Sequence, residues 1–239
     1  MKKSTCIQQV LFVFILINHS FPSGIISCFT DQTVSENILF EEEKKQAEDY
    51  ESVRMLDFCR GRYCAHTCCD KIQLKAPILN SVSGAPIWPK GLVGSISHSK
   101  NLAGAIVANK SSYKSLGVDI ETLGRVEKKL WNLFFTSNEI EFISSANPEE
   151  QDFYSTLFFS MKESFYKMQF PITNAFLDFK DCEVVFLENR YFIQLLTGDY
   201  KRKLTEMFFF NYKNQVITYT YCIEVEMGKT KTPTHYLNE

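Results

Sequence analysis

The sequence predicts an α+β fold. Three observations carry that reading. Apolar residues recur at the helical period between residues 50 and 72, a capping signal at Asn147-Pro148 opens a second long helix, and runs of strand composition lie between and after the two. At 239 residues the chain can form one large domain or two small lobes. A polar stretch at 110–115, between two strand-like runs, sets a lobe boundary that divides residues 1–114 from 115–239.

Near the start, Lys2 and Lys3 precede the apolar run 10–17. That run resembles a secretory core but is too short to span a bilayer, and Asn18, His19 and Phe21 leave no clean cleavage site after it. A buried first strand is the preferred reading. The charge run Glu41-Glu42-Glu43-Lys44-Lys45 reads as a solvated helix start or loop. From 50 to 72, Val53, Leu56, Cys59, Tyr63, Cys64 and Cys68 recur at helical spacing, with Arg54, Arg60 and Arg62 around them. Residues 80–94, rich in Gly, Pro and Ser, read as loop, and 102–109 and 116–121 as strands. Thr136-x-x-Glu139 is a capping box opening a short helix. Asn147 then caps a helix with Pro148 at its first position, expected to stop near Gln169 before Phe170-Pro171. The remainder reads as strands, for example at 179–187, 191–196 and 215–225.

A net charge of −2 gives no electrostatic case for a nucleic-acid binder, and 45% hydrophobic residues with 21 Phe exclude a disordered chain. The eight cysteines are Cys6, Cys28, Cys59, Cys64, Cys68, Cys69, Cys182 and Cys222. They show no C-x-x-C pair, so a zinc site is poorly supported, and they read as buried reduced thiols. No stable membrane span is expected.

Chemistry concentrates in three segments. In Gly117-Val118-Asp119-Ile120-Glu121, strand alternation puts Asp119 and Glu121 on one face and Val118 and Ile120 on the other. Two hard oxygen ligands at i and i+2 suit Mg²⁺, although a solvent-facing acidic strand would look the same. In the helix from Pro148, the residues Tyr154, Leu157, Phe158, Met161, Phe165 and Met168 form an apolar stripe, and Phe159 and Tyr166 flank the polar side that carries Ser160, Glu163 and Lys167. A helix apolar nearly all round is buried, so Glu163 and Lys167 need partners inside the protein, whether each other or an anionic ligand. The third segment runs from Trp88-Pro89-Lys90 through Gly94 to Ser97-His98-Ser99. Its glycines permit backbone approach to an anion and its Ser and His supply donors, but no Gly-Lys-Ser/Thr ends it as a nucleotide loop would.

Together these segments resemble a known family. Gly94-Ser-Ile-Ser-His98, Gly117-Val-Asp-Ile-Glu121 and Phe159-Ser-Met-Lys-Glu-Ser-Phe-Tyr-Lys167 look like the ordered signature motifs of the 4′-phosphopantetheinyl transferases of the surfactin and enterobactin type. Arg60-Gly-Arg-Tyr-Cys-Ala65, with Trp88-Pro89, is similar to the enterobactin branch, and 21–25 is similar to the family's lead-in to its first strand. The likeness covers roughly residues 54–181. The chain departs from the pattern at Arg60, where a small residue is usual, and at Val53, where a basic residue often precedes Arg54.

The resemblance implies two similar, pseudo-symmetric α+β lobes with the active site between them. It implies Mg²⁺ held by Asp119, Glu121 and Glu163. Coenzyme A would be bound by Lys90, Ser97, His98, Lys162 and Lys167, with Arg54 and Arg62 at its 3′-phosphate. The reaction implied moves the phosphopantetheine arm to a serine of an apo acyl- or peptidyl-carrier protein and releases 3′,5′-ADP. Glu163, or a water on the metal, is the candidate base, and Lys167 the group that stabilises or protonates the leaving phosphate. A cytoplasmic monomer acting in siderophore or nonribosomal-peptide biosynthesis is expected. A non-catalytic carrier-binding homologue of the same fold is the alternative, and retention of Asp119, Glu121, Glu163 and Lys167 speaks against it. The segment Arg125 to Phe134, basic residues interleaved with Val126, Leu130, Trp131 and Leu133, reads either as a carrier-docking rim or as an ordinary amphipathic helix.

Overall fold

The computed structural model describes residues 21–198 and 203–223. In chain order these form β1 (Ile25–Thr30), α1 (Glu41–Gln46), α2 (Ser52–Asp70), β2 (Leu79–Asn80), β3 (Pro86–Ile87), β4 (Leu92–Ser99), β5 (Leu102–Asn109) and β6 (Tyr113–Thr122). There follow α3 (Trp131–Phe134), α4 (Ser137–Ser145), α5 (Pro148–Thr173), β7 (Cys182–Leu187), β8 (Arg190–Leu195), β9 (Leu204–Tyr212) and β10 (Gln215–Ile223). The mixed class is the α+β predicted.

One antiparallel sheet has the order β1-β5-β4, and the other β6-β10-β9-β8-β7. β5 is buried on both faces. Its Ala103, Ala105 and Val107 let α2 lie close, packing Cys64, Ala65 and Cys68 against Cys28 and Ile78. In the second sheet α5 plays the same part, its Leu157, Phe158, Met161 and Phe165 buried against Val184, Ile193, Met207 and Val216. The other faces of the two sheets meet in a shared core of Leu102, Ile106, Leu116, Val118, Ile120, Ile217 and Tyr219.

Among the described residues the sheets share no strand pairing; β4 and β6 lie side by side through side chains. Ser95 Oγ accepts from the Val118 N–H at 3.0 Å and Ser97 Oγ from the Ile120 N–H at 3.2 Å, while the Ser99 and Thr122 hydroxyls lie 3.2 Å apart. Each such bond nets about 1 kcal/mol, against about 1.5–3 kcal/mol for each large apolar side chain fully buried. The shared core therefore holds the halves together, and the serine seam fixes their register.

Several sequence expectations hold closely. α2 is the expected helix shortened by two residues at each end, β5 has the expected bounds, and the 116–121 strand extends to ten residues as β6. The capping box is present in both directions, Thr136 N–H to Glu139 Oε2 at 2.7 Å and Glu139 N–H to Thr136 Oγ1 at 3.3 Å. The described cysteines are free thiols, all buried except the half-buried Cys222, and Cys6 lies outside the described residues, as does the apolar run 10–17. No helix among the described residues is long and apolar enough to cross a membrane.

Other expectations are corrected. Residues 80–94 are not all loop, because β2 and β3 pair as a hairpin and β4 begins at Leu92. Gly94 therefore stands within a strand, where a Cβ would come 2.6 Å from the Trp88 ring. α5 continues through Pro171 to Thr173, because a proline so near the end forfeits little of the helical ladder. Asn174 closes the helix in the left-handed region at φ 52°, its N–H on Phe170 O at 2.8 Å. The 41–45 run is not wholly solvated: Glu43 is sealed, accepting from Phe40 N–H, Ile78 N–H and the His66 ring at 2.7–2.9 Å. Burial alone would raise its pKa, yet these hydrogen bonds, with the nearby imidazole, hold the carboxyl below its usual value.

Candidate active site

α5 crosses β6 over Gly117, and this close approach brings the polar side of the helix onto the acidic strand. Strand alternation works as the sequence indicated: Val118 and Ile120 enter the shared core, while Asp119 and Glu121 turn toward α5. Asp119 is 3% exposed, and both of its oxygens are engaged. Its Oδ1 accepts from Lys167 Nζ at 2.7 Å and Ser97 Oγ at 3.0 Å, and its Oδ2 from Ser160 Oγ at 2.8 Å. Thr218, opposite Asp119 in the ladder, extends the network to Ser160 and Ser164.

Glu121 and Glu163 lie beside this centre without a buried partner of their own kind of strength. Burial, then the charge of Asp119, pushes Glu121 up to about 7, although Arg125 (3.7 Å away) and Lys167 pull it down. Glu163 is raised for the same two reasons in the same order, with Lys167 opposing. The crowding of three carboxyls around one lysine leaves an excess of negative charge that a cation would relieve. The donor set, all hard oxygen, suits Mg²⁺, which needs only one or two protein carboxylates and completes its shell with water and phosphate. Among the described residues no three metal-ligating side chains converge on one point, so the site is no all-protein cage.

Next to the acidic centre, on the far side of β4, a cleft of about 530 Å³ is lined by Tyr50, Arg54, Asp57, Phe58, Arg62, Asn80, Ile96 and His98 among others. Ile96 and His98 face it because they alternate with Ser95, Ser97 and Ser99, which face β6. The exposed Arg54 stacks over the Tyr50 ring at 4.0 Å. Arg62 is buried over the Phe58 ring at 4.3 Å, with Nη2 on Asn80 Oδ1 at 2.7 Å and Nε 3.7 Å from Glu43. That Nε is buried without a hydrogen-bond partner, and burial lowers the guanidinium pKa to about 10 despite Glu43. That Nε is turned toward Glu43, whereas Arg54, Arg62 and His98 set basic groups along a cleft that Glu51 and Asp57 also line, an arrangement suited to an anionic ligand. The half-exposed His98 has Nδ1 3.4 Å from Asp57 Oδ2. Burial lowers its pKa, against the pull of Asp57.

The structure thus brings together Asp119, Glu121, Glu163 and Lys167 at one centre, and Arg54, Arg62 and His98 along the adjoining cleft. Three expected ligands are placed otherwise. Lys90 is exposed in the turn before β4, whose first residue, Leu92, already stands about 20 Å along the strand from His98 at roughly 3.3 Å per residue. Ser97 has no hydroxyl capacity left, donating to Asp119 and accepting from Ile120 N–H and Lys167 Nζ. Lys162 points away from Glu163 into the protein, where Nζ donates to Glu139 Oε2 (2.7 Å), Phe179 O (2.7 Å) and Phe134 O (3.0 Å). Its charge is spent on a sealed ion pair, not on a ligand.

The sequence does not single out Asp57 and Asn80. It places Ser160 on the polar side of its helix with Glu163 and Lys167 but assigns it no role, and the structure sets it on Asp119. Asp57 and Asn80 reach the cleft only through tertiary packing.

Two family models match the chain. The 4′-phosphopantetheinyl transferase N-terminal domain matches residues 42–108, and the 4′-phosphopantetheinyl transferase superfamily matches residues 115–220. The chain is 32% identical over 150 residues to the 4′-phosphopantetheinyl transferase Svp of Streptomyces mobaraensis, covering 62% of this chain and 61% of the relative. It is 30% identical over 134 residues to the 4′-phosphopantetheinyl transferase PptT of Mycobacterium tuberculosis, covering 56% and 59%. The chain spans about three fifths of the length of the curated relatives it matches. The holo-[acyl-carrier-protein] synthase of Thermotoga maritima superposes at a TM-score of 0.38 with 15% identity, over 46% of this chain and 63% of that one, too loosely to add to the description of the fold. The two family matches flank the turn between β5 and β6 and together take in well over half of the sequence: the chain belongs to the 4′-phosphopantetheinyl transferase superfamily.

Proposed function

We propose that this chain transfers the phosphopantetheine arm of coenzyme A to a serine of an apo acyl- or peptidyl-carrier protein. The observation that carries the reading is the meeting of a lysine, three carboxyls and a cation-lined cleft. Lys167 bridges α5 and β6 onto Asp119, Glu121 and Glu163 are raised beside it, and Arg54, Arg62 and His98 line the adjoining cleft. The names of Svp and PptT support the same activity. Asp119, Glu121 and Glu163 would hold Mg²⁺, which when bound neutralises diphosphate charge.

The chain's own groups supply the rest. Arg54, Arg62 and His98 hold the coenzyme A phosphates in the cleft. Glu163, whose carboxyl burial and then Asp119 make more basic than an ordinary glutamate, takes the proton from the carrier serine hydroxyl. The serine oxygen then bonds to the phosphorus that bears the pantetheine arm, and the bond from that phosphorus to the bridging oxygen breaks. The departing 3′,5′-ADP carries the bond's electron pair, and the Lys167 ammonium stabilises its new charge. Ser97 and Ser160 hold Asp119, and through it Lys167, in place.

In this reading the lobes are residues 1–114 and 115–239, with the first carrying the nucleotide contacts and the second the acidic centre and carrier docking. The chain is a cytoplasmic monomer, its buried thiols suited to a reducing compartment, and of the surfactin and enterobactin type, serving siderophore or nonribosomal-peptide synthesis. Mass spectrometry of apo-carriers incubated with the protein, coenzyme A and Mg²⁺ tests it. A mass gain equal to the phosphopantetheine arm on the carrier serine is expected, and unchanged mass across fatty-acid, polyketide and peptide carriers would refute the activity.

A further inference from the structure

Arg60 is one of the two residues at which the chain departs from the family pattern, and it does not line the cleft. At 5% exposure its Nε donates to Gln32 O at 3.0 Å and its Nη1 to Lys100 O at 3.3 Å. Those bonds pin α2 to the segment after β1 and to the turn between β4 and β5. The same Nη1 lies 3.7 Å from Asp57 Oδ1, and the other Asp57 oxygen lies 3.4 Å from His98 Nδ1. A buried cation thus braces a carboxylate, and the carboxylate faces the one imidazole on the cleft wall.

We propose that Asp57, braced by Arg60, is a positioning residue for His98, turning Nδ1 inward and offering Nε2 to a phosphate of coenzyme A. The inference rests on the coenzyme A reading above. An imidazole whose Nδ1–H faces a carboxylate can donate from Nε2 only when doubly protonated, so the ring must carry a charge to bind phosphate. The groups facing it are Asp57 and Arg60 from α2, Lys167 from α5 and Asp119 from β6, with Arg54 and Arg62 farther along the cleft. Burial, Lys167 and Arg60 disfavour the imidazolium, and Asp57 is the foremost group that favours it. Asp57→Asn keeps the shape and removes that support.

Calorimetric titration of coenzyme A into the wild type, Asp57→Asn, His98→Gln and the double variant, at pH 5, 6.5 and 8, tests the relay. Asp57→Asn should bind about tenfold more weakly at pH 8 and within about twofold of wild type at pH 5, where the imidazole is charged in both, as expected for one charge-assisted hydrogen bond. In the His98→Gln background the same substitution should cost nothing further, since the two residues act as one unit. Asp57→Glu, which keeps the charge, should recover part of the pH 8 affinity, and the unfolding midpoints of all variants report whether the fold is kept. An equal loss at every pH, or a full additive loss in the His98→Gln background, would overturn the positioning role while leaving coenzyme A binding standing. A wild-type protein that binds no coenzyme A at any pH would overturn the parent reading, and this one with it.

Discussion

Gly117 on β6 lies so close to the Ser164 carbonyl of α5 that a Cβ would overlap the oxygen, and it would stand 2.9 Å from Met168 Cβ. The glycine is there for close approach of two backbones, and the site depends on it. Gly117→Ala should lift the helix from the strand, destabilise the protein by about 3 kcal/mol, and separate Ser160 and Lys167 from Asp119. Urea unfolding read beside transfer activity checks this. An unshifted midpoint with full activity would show that the helix can yield.

Lys162 and Glu139 form an ion pair that is essentially sealed from water, at 2.7 Å. Lys162→Met strands the Glu139 charge and should cost about 3–5 kcal/mol. Adding Glu139→Gln should return part of that loss. Coenzyme A affinity in the folded protein should not change. A variant of normal stability but weakened cofactor binding would restore the lysine to the ligand set.

The raised pKa of Glu121 makes the protein sensitive to pH in a defined direction. The folded state keeps its proton up to about 7, whereas the unfolded carboxyl releases it near the ordinary glutamate value. The folded state therefore binds more protons in that window. This group's contribution to stability is present below it and is lost as pH rises toward 7. Mg²⁺ competes with the proton, so it should raise the thermal midpoint at pH 8 far more than at pH 5. Glu121→Gln should flatten both dependences. Calorimetric scans with and without the metal measure them, and an equal Mg²⁺ effect at both pH values would remove Glu121 from the metal site.

The stretch after β6 divides by burial. Val126 and Trp131 are core, while Lys128, Lys129 and Leu133 are exposed, with Lys128 5.3 Å over the Trp131 ring and Lys129 paired to Glu127 at 2.6 Å. Reversing Lys128 and Lys129 to Glu should raise the KM for an acidic carrier several-fold at low salt, with a smaller effect above about 0.15 M salt as exposed charges are screened. Coenzyme A kinetics should stay constant. A defect confined to coenzyme A would move the docking surface elsewhere.

What the sequence revealed, and what it hid, follows from the range of each interaction. The Asp119 and Glu121 face was legible because strand alternation is a local rule, and the Thr136–Glu139 box because both partners lie within one turn. Lys162 misled because it adjoins Glu163 in sequence. Successive helix residues point about 100° apart, so one neighbour faces the carboxyl centre and the other a buried glutamate. The pairing of Asp57 with His98 joins a helix to a strand 41 positions on and has no local signature. β9 lies in the part that reads as strands but has no legible bounds there, because Met207, Phe208, Phe209 and Phe210 form an unbroken apolar run that obscures the alternation of a strand.

The serine seam between β4 and β6 bears on how such a molecule can evolve. A backbone ladder is made of peptide groups that every residue shares, so only a change to proline removes one of its donors. Here Ser95, Ser97 and Ser99 supply the join as side chains, and each rung is therefore heritable on its own. Replacing one serine adjusts the stiffness between the halves without disturbing the hydrogen bonding within either sheet. Selection can in this way tune how firmly the two halves are joined, rung by rung.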